Sequence, residues 1–390
     1  MLVKERLCKT YIVLCLMGII LLSIYHIVVG FNNQMDLESN MGFGALVGFV
    51  LFYIPNFLLS FKIKRSKRIW SISLLGLYIA ILFLLSVVRL FDLTRVLGFV
   101  LWVFCFYFGD RVSKCSVSVK QTFLRTAFVG ISLLIAVFLY YYYSKGFLEN
   151  QKSSDMVFCL IVYIPLLFLF DGKKILKIVA IALFSVICFL SLKRSIVLGL
   201  TLFMIVLFLL EGNKKIITKW YFWLIVIAVI YVGSYLIDTV GNLLDARFHE
   251  ESGGSGRDLI YANIFHRFSN SEFFQLLFGH GFMSVIKING ALAHNDFLQL
   301  LYDGGLIAIV FYLSMWVYLL SFVIKNWRIH RQIGSYYSVY VSTIVLLLLL
   351  SMLNCFIYSY ILISPMMLAI GFLIGEIRNK KRLLFSSNQL

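Results

Sequence analysis

The sequence predicts an all-α polytopic integral membrane protein, and three observations carry that reading. Hydrophobic residues make up 61% of the chain and charged residues only 14%, far more apolar than a water-soluble chain of this length. Apolar runs able to cross a hydrocarbon layer of roughly 30 Å recur along its whole length. The basic residues sit in short connections between those runs, so the net charge of +17 reads as membrane topology and not as a nucleic-acid-binding face.

In chain order the runs fall near residues 11–30, 41–61, 70–88, 96–109, 126–143, 156–170, 175–190, 195–210, 220–237, 297–324, 337–354 and 361–377. They amount to about twelve transmembrane helices in a single membrane domain spanning residues 1–390. The first has a basic flank but is of spanning length, and no small-residue cleavage site follows it, so it reads as a membrane helix and not a removable leader. Counted from a cytoplasmic start, alternate connections hold 25 of the 35 lysines and arginines. That alternation never breaks, which assigns both termini to the cytoplasm. "FYIPNFLLSFKIKR" and "VYIPLLFLFDGKK" look alike, but this is too little for an inverted repeat. The seven cysteines fall in or beside apolar runs with no CxxC pair, so neither a disulfide framework nor a zinc site is indicated. No other metal-ligand spacing stands out, and no cofactor is expected.

One connection differs in kind. Residues 238–293, between the ninth and tenth runs, form an extracytoplasmic loop of 56 residues, whereas the others have about 16 or fewer. Long loops on rigid scaffolds commonly carry function. Four of the six histidines (His249, His266, His280, His294) lie in it or at its exit, with the glycine cluster "ESGGSGRD". After that cluster, Leu259, Ile260, Ile264, Phe265 and Phe268 predict a short amphipathic helix from about Asp258 to Phe268. "LLFGHGFMS" reads as a glycine-flanked turn around His280.

The loop leads into "GALAHNDFLQLLYDGGLIAIVFYL". Asp296, Gln299 and Asp303 are spaced to share one helical stripe with the mouth residues His294 and Asn295. Polar groups entering hydrocarbon cost kcal/mol each unless satisfied, so the stripe predicts a water-filled or substrate-filled cavity open to the outside. A histidine at its rim, with a reference pKa near 6.5, can take a proton from a hydroxyl at neutral pH; the plainer alternative is an interfacial anchor. Two arginines complete the set. Lys193 and Arg194 occupy a short outer turn just before Ser195, and Arg257 opens the loop helix with Ser255 as a candidate cap. A guanidinium beside the free N–H groups of a helix start suits an anion such as a diphosphate. Snorkelling to lipid phosphates, or pairing with Asp258 or Glu251, would equally account for these cations.

These residues resemble the bacterial O-antigen ligase and O-antigen or capsule repeat-unit polymerase superfamily. Its ligases carry a His-Asn pair, nine residues, then Gly-x-x-[Gly/Thr/Tyr]; here His294-Asn295 precedes nine residues and Gly305-Leu306-Ile307-Ala308, so the last position departs. Arg194 in "LKRSIVLGL" and Arg257 in "SGRDLIYANIF" look like the family's two arginines. The resemblance implies a GT-C-like membrane fold in the cytoplasmic (inner) membrane, with the active site facing the periplasm or exterior and metal-independent glycosyl transfer there. Its implied partners are a glycan donor on undecaprenyl diphosphate, a glycan acceptor, membrane lipids and a chain-length regulator. In that frame His294 is the general base, Arg194 and Arg257 hold the diphosphate, and Lys193, Asn295, Asp296, Gln299 and Asp303 support them. Repeat-unit polymerase is the preferred member and O-antigen ligase the alternative. A transporter or flippase of lipid-linked saccharides is a third reading, disfavoured because the polar residues gather at one asymmetric mouth instead of across several helices.

Overall fold

The computed structural model describes residues 2–31, 70–86, 93–145, 156–190, 194–211 and 257–387, and every regular element among them is helical. Ten of the twelve apolar runs are helical there; the runs at 41–61 and 220–237 lie outside the described residues, as do Lys193 and the loop from 238 to 256 with its glycine cluster. The helices are α1 (Leu2–Phe31), α2 (Trp70–Ser86), α3 (Leu93–Val112), α4 (Val117–Lys145), α5 (Phe158–Ile161), α6 (Ile164–Leu169), α7 (Lys174–Leu190) and α8 (Arg194–Glu211). After the undescribed loop come α9 (Arg257–Ser269), α10 (Phe273–Phe278), α11 (Ser284–Asn289), α12 (Asp296–Asn326), α13 (His330–Ile333), α14 (Ser335–Leu353) and α15 (Tyr360–Ser387). The long apolar helices α1, α4, α12, α14 and α15 are each able to cross a bilayer, and the chain is an all-α polytopic membrane protein.

The bundle is built around α15. Every residue from Met366 to Ile374 is buried, as expected of a helix surrounded by other helices. It lies closest to α3, where small residues let backbones meet: a Cβ at Gly371 would stand 1.9 Å from the Phe106 carbonyl oxygen. Around this pair α1 packs on α4, α8 on α14, and α12 on α2.

The run at 156–170 departs from the single span expected. It forms two short pieces, α5 and α6, with turns at Val162 and Tyr163. Pro165 has no N–H to give the Ile161 carbonyl, so the helix breaks there. Almost all of this segment is buried, which makes it a core filler inside the bundle and explains an apolar run shorter than the hydrocarbon is thick.

Candidate functional site

The mouth of α12 is where the loop residues and membrane helices meet. Asn295 caps the helix, its Oδ1 accepting from the Phe297 N–H at 2.9 Å and the Leu298 N–H at 3.2 Å, and its Nδ2 donates to the Met352 carbonyl at the end of α14. The expected polar stripe is present, but it does not line an open cavity. Asp296, Gln299 and Asp303 are all fully buried, and irregular chain folded over the mouth supplies their partners.

Each of the three fastens a different segment. Asp296 accepts from the Ile357 N–H at 2.9 Å and the Tyr312 hydroxyl at 3.1 Å, which ties the α14–α15 turn to α12. Gln299 accepts from the Ala293 N–H at 2.9 Å and donates to Asp303 Oδ2 at 2.8 Å; the Cys355 thiol donates to the same Gln299 Oε1 at 3.4 Å. Asp303 accepts from the Met283 N–H at 2.9 Å and the Val285 N–H at 3.1 Å, holding the start of α11, and the Tyr358 hydroxyl faces it as well. Burial pushes the Cys355 thiol and the Tyr358 phenol up, so both stay neutral at physiological pH. Buried polar groups satisfied this completely rigidify the chain that carries them.

Two turns into α12 the helix breaks. Gly305 has φ 68 and ψ −167, a conformation that only glycine adopts readily. The break frees three carbonyls, and all three are taken up: Tyr302 by the His280 N–H at 2.9 Å, Asp303 by the Gly281 N–H at 3.0 Å, and Gly304 by the Tyr78 hydroxyl at 2.7 Å. The glycine-flanked turn around His280 is therefore the cap of a broken membrane helix. A Cβ on Gly305 would lie 2.4 Å from the Leu277 carbonyl oxygen, so the motif glycine serves close approach as well as conformation. The His280 ring stacks on Tyr302 with centroids 4.1 Å apart and contacts Ser271 Oγ at 3.1 Å.

His294 lies between Ala293, whose N–H Gln299 accepts, and the capping Asn295. Its φ of 50 is left-handed, and among the described residues only Met283 is a second non-glycine with positive φ. That conformation costs of order 1 kcal/mol or more and persists where the surroundings over-determine it. Here the Gln299 bond to Ala293 on one side and the Asn295 cap on the other fix it.

The loop helix α9 matches the expected range within a residue at each end. Its buried stripe is narrower than expected: Ile260, Ile264 and Phe268 join Val285, Ala293 and Tyr302 in a small core beneath the loop, whereas Leu259 and Phe265 point outward. The i, i+4, i+8 spacing of the first three makes a single row, and the other two fall off it. Arg257 is the first residue of α9, whose helix packs on α11 and α12, so its backbone lies on the same side of the bundle as His294. Arg194 is the first residue of α8. Five residues on, Gly199 packs against Leu346 and Leu349 of α14, near the end of that helix that Asn295 holds.

The structure thus gathers His294, Asn295, Asp296, Gln299 and Asp303 at one place, sets Arg257 on a helix packed against it, and leaves Lys193 outside the described residues. Sequence reading missed Tyr78, Tyr312 and Cys355, because their contacts span sequence separations that periodicity does not report. Residues 179–313 of the chain, roughly a third of it, match the O-antigen ligase family model (Wzy_C). No curated protein matches the chain at a significant level. The matched range contains Arg194, Arg257, His294 and Gly305, the positions on which the superfamily resemblance rests.

Proposed function

On the premise of that O-antigen ligase domain, we propose that the protein is a membrane glycosyltransferase of the repeat-unit polymerase type. It moves a growing glycan from undecaprenyl diphosphate to a sugar hydroxyl of another lipid-linked repeat unit, on the outer face of the cytoplasmic membrane. His294 accepts the acceptor hydroxyl proton, the acceptor oxygen bonds to the anomeric carbon, and the bond from that carbon to the diphosphate oxygen breaks with its electron pair leaving on the diphosphate. Arg194 and Arg257 stabilise the departing charge, each with the N–H groups of a helix start behind it. Gln299 and Asn295 position His294, and Asp296 and Asp303 hold the chain around it.

The observation that carries the reading is the backbone of His294: a histidine locked in a left-handed conformation between two side-chain fasteners, inside the matched domain. An anchoring histidine at a membrane interface needs no such fixation. The ligase reading shares all of this chemistry and differs in acceptor, a sugar of the lipid A core. Polymerase is preferred because Ala308 stands where ligases carry Gly, Thr or Tyr.

Purified protein in lipid, given a defined undecaprenyl-diphosphate-linked repeat unit, is expected to return longer glycans on the carrier lipid. Transfer only when lipid A core is added would replace polymerase by ligase. Saccharide that crosses liposomes with its length unchanged would overturn both.

A further inference from the structure

A second surface, independent of the glycosyl-transfer reading, emerges from where the bilayer must lie. Beyond the break at Gly305, α12 exposes Leu306, Val310, Leu313, Val317, Leu320 and Ile324, a single stripe at helical spacing. From Leu306 to Ile324 the helix rises about 27 Å at 1.5 Å per residue, close to the roughly 30 Å hydrocarbon thickness. Basic residues begin at once beyond its far end, with Lys325, Arg328 and Arg331. The stripe therefore marks the hydrocarbon, and its near edge falls at the level of Gly305.

A second helix marks the same level. The Tyr78 hydroxyl of α2 donates to the Gly304 carbonyl and contacts the Phe278 carbonyl at 3.4 Å, and Leu77 and Ile81 on either side of Tyr78 are exposed apolar residues. The end of α10 is thus bound at the edge of the hydrocarbon, although α10 belongs to the extracytoplasmic loop.

Among the described residues nothing covers three aromatic rings of α10: Phe273 is 68% exposed, Phe274 72% and Phe278 49%. The polar end of the same helix is closed off by a reciprocal capping box between Glu272 and Gln275, which satisfies N–H groups that an apolar setting would penalise. We propose that α10 is an interfacial anchor whose phenyl rings insert into the outer edge of the bilayer hydrocarbon, with lipid acyl chains as their partner. Because α10 runs directly into the Gly279–Gly281 turn that caps α12, this anchor fixes the depth of the mouth relative to the membrane. Helices that turn an apolar face toward the boundary between headgroups and acyl chains lie in the interface plane in this way.

The test places the photoreactive residue benzoylphenylalanine, close to phenylalanine in shape, at Phe274 and separately at Phe278 of the full-length protein in phospholipid vesicles. Leu313 serves as the hydrocarbon reference and Asp258 as the water-facing one. After illumination, intact mass is expected to show a phospholipid adduct at both positions of α10 with a yield matching Leu313. A yield as low as that at Asp258 would overturn the proposal by placing the rings in water. A protein–protein adduct in place of the lipid one would overturn it in favour of a second copy or another protein on this face.

Discussion

Asp296 and Asp303, fully buried at the mouth of α12, draw their hydrogen bonds from backbone N–H groups, an amide and a phenol. At the opposite end of the bundle Asp110 and Glu376, 6% and 4% exposed, are paired with cations: Lys114 donates to the first and Arg378 lies 3.6 Å from it, and Lys120 donates to the second at 2.9 Å. The Arg378 and Lys120 pairs join helix to helix, α3 to α15 and α4 to α15. Helices need only be held at the right distance, and a charge pair tolerates small shifts. The mouth bonds join irregular chain to a helix through directed donors, and such bonds weaken steeply when misaligned. One end is fastened for topology, the other for geometry.

Breaking the mouth geometry at its tightest point should cost most. Gly305→Ala places a methyl against backbone in a glycine-only conformation, and a destabilisation of about 4 kcal/mol is expected. Gly334→Ala is its internal control, since Gly334 has φ 73 but nothing within 4 Å of the added Cβ; only the conformational part, about 1 to 3 kcal/mol, applies there. Thermal unfolding in detergent reads the difference, and equal losses would mean that close approach at Gly305 contributes nothing.

Next comes Asp303→Ala, which strands the Met283 and Val285 N–H groups and should cost about 3 kcal/mol. Limited proteolysis should find the segment from 280 to 294 opened while α14 and α15 stay protected. Lys120→Met attacks the other end. With Glu376 left unpaired and Lys120 itself partly exposed, about 2 kcal/mol is expected, with glycan transfer per folded molecule unchanged, because among the described residues no bond at that end reaches the mouth. Reduced transfer in that variant at normal insertion would erase the distinction between the two ends. Tyr78→Phe, which removes one bond to the Gly304 carbonyl, should cost about 1 kcal/mol in the same unfolding assay.

Much of this was legible in the sequence. Hydrophobic runs gave the helices because burial in lipid leaves a strong one-dimensional signal, and the run at 156–170 misled only because core and lipid are equally apolar until Pro165 is weighed. Asp296, Gln299 and Asp303 were visible as a stripe from their spacing alone. Their partners were not: backbone N–H groups are carried by nearly every residue, so no pattern marks Met283, Val285, Ala293 or Ile357 as donors. The inference from a polar stripe to an open cavity failed for that reason. Spacing also located the Gly305 position in the His-Asn motif without disclosing its break in α12, since positive φ is a property of three-dimensional approach.

If the mouth presents His294 to an acceptor hydroxyl, as proposed, the turnover of His294→Ala is the sharpest readout of it. With lipid-linked repeat unit as substrate and rates normalised to correctly inserted protein, loss of a general base predicts a fall on the order of 10² to 10⁴ in rate. Glycan extension at the unsubstituted rate would rule out His294 as the base.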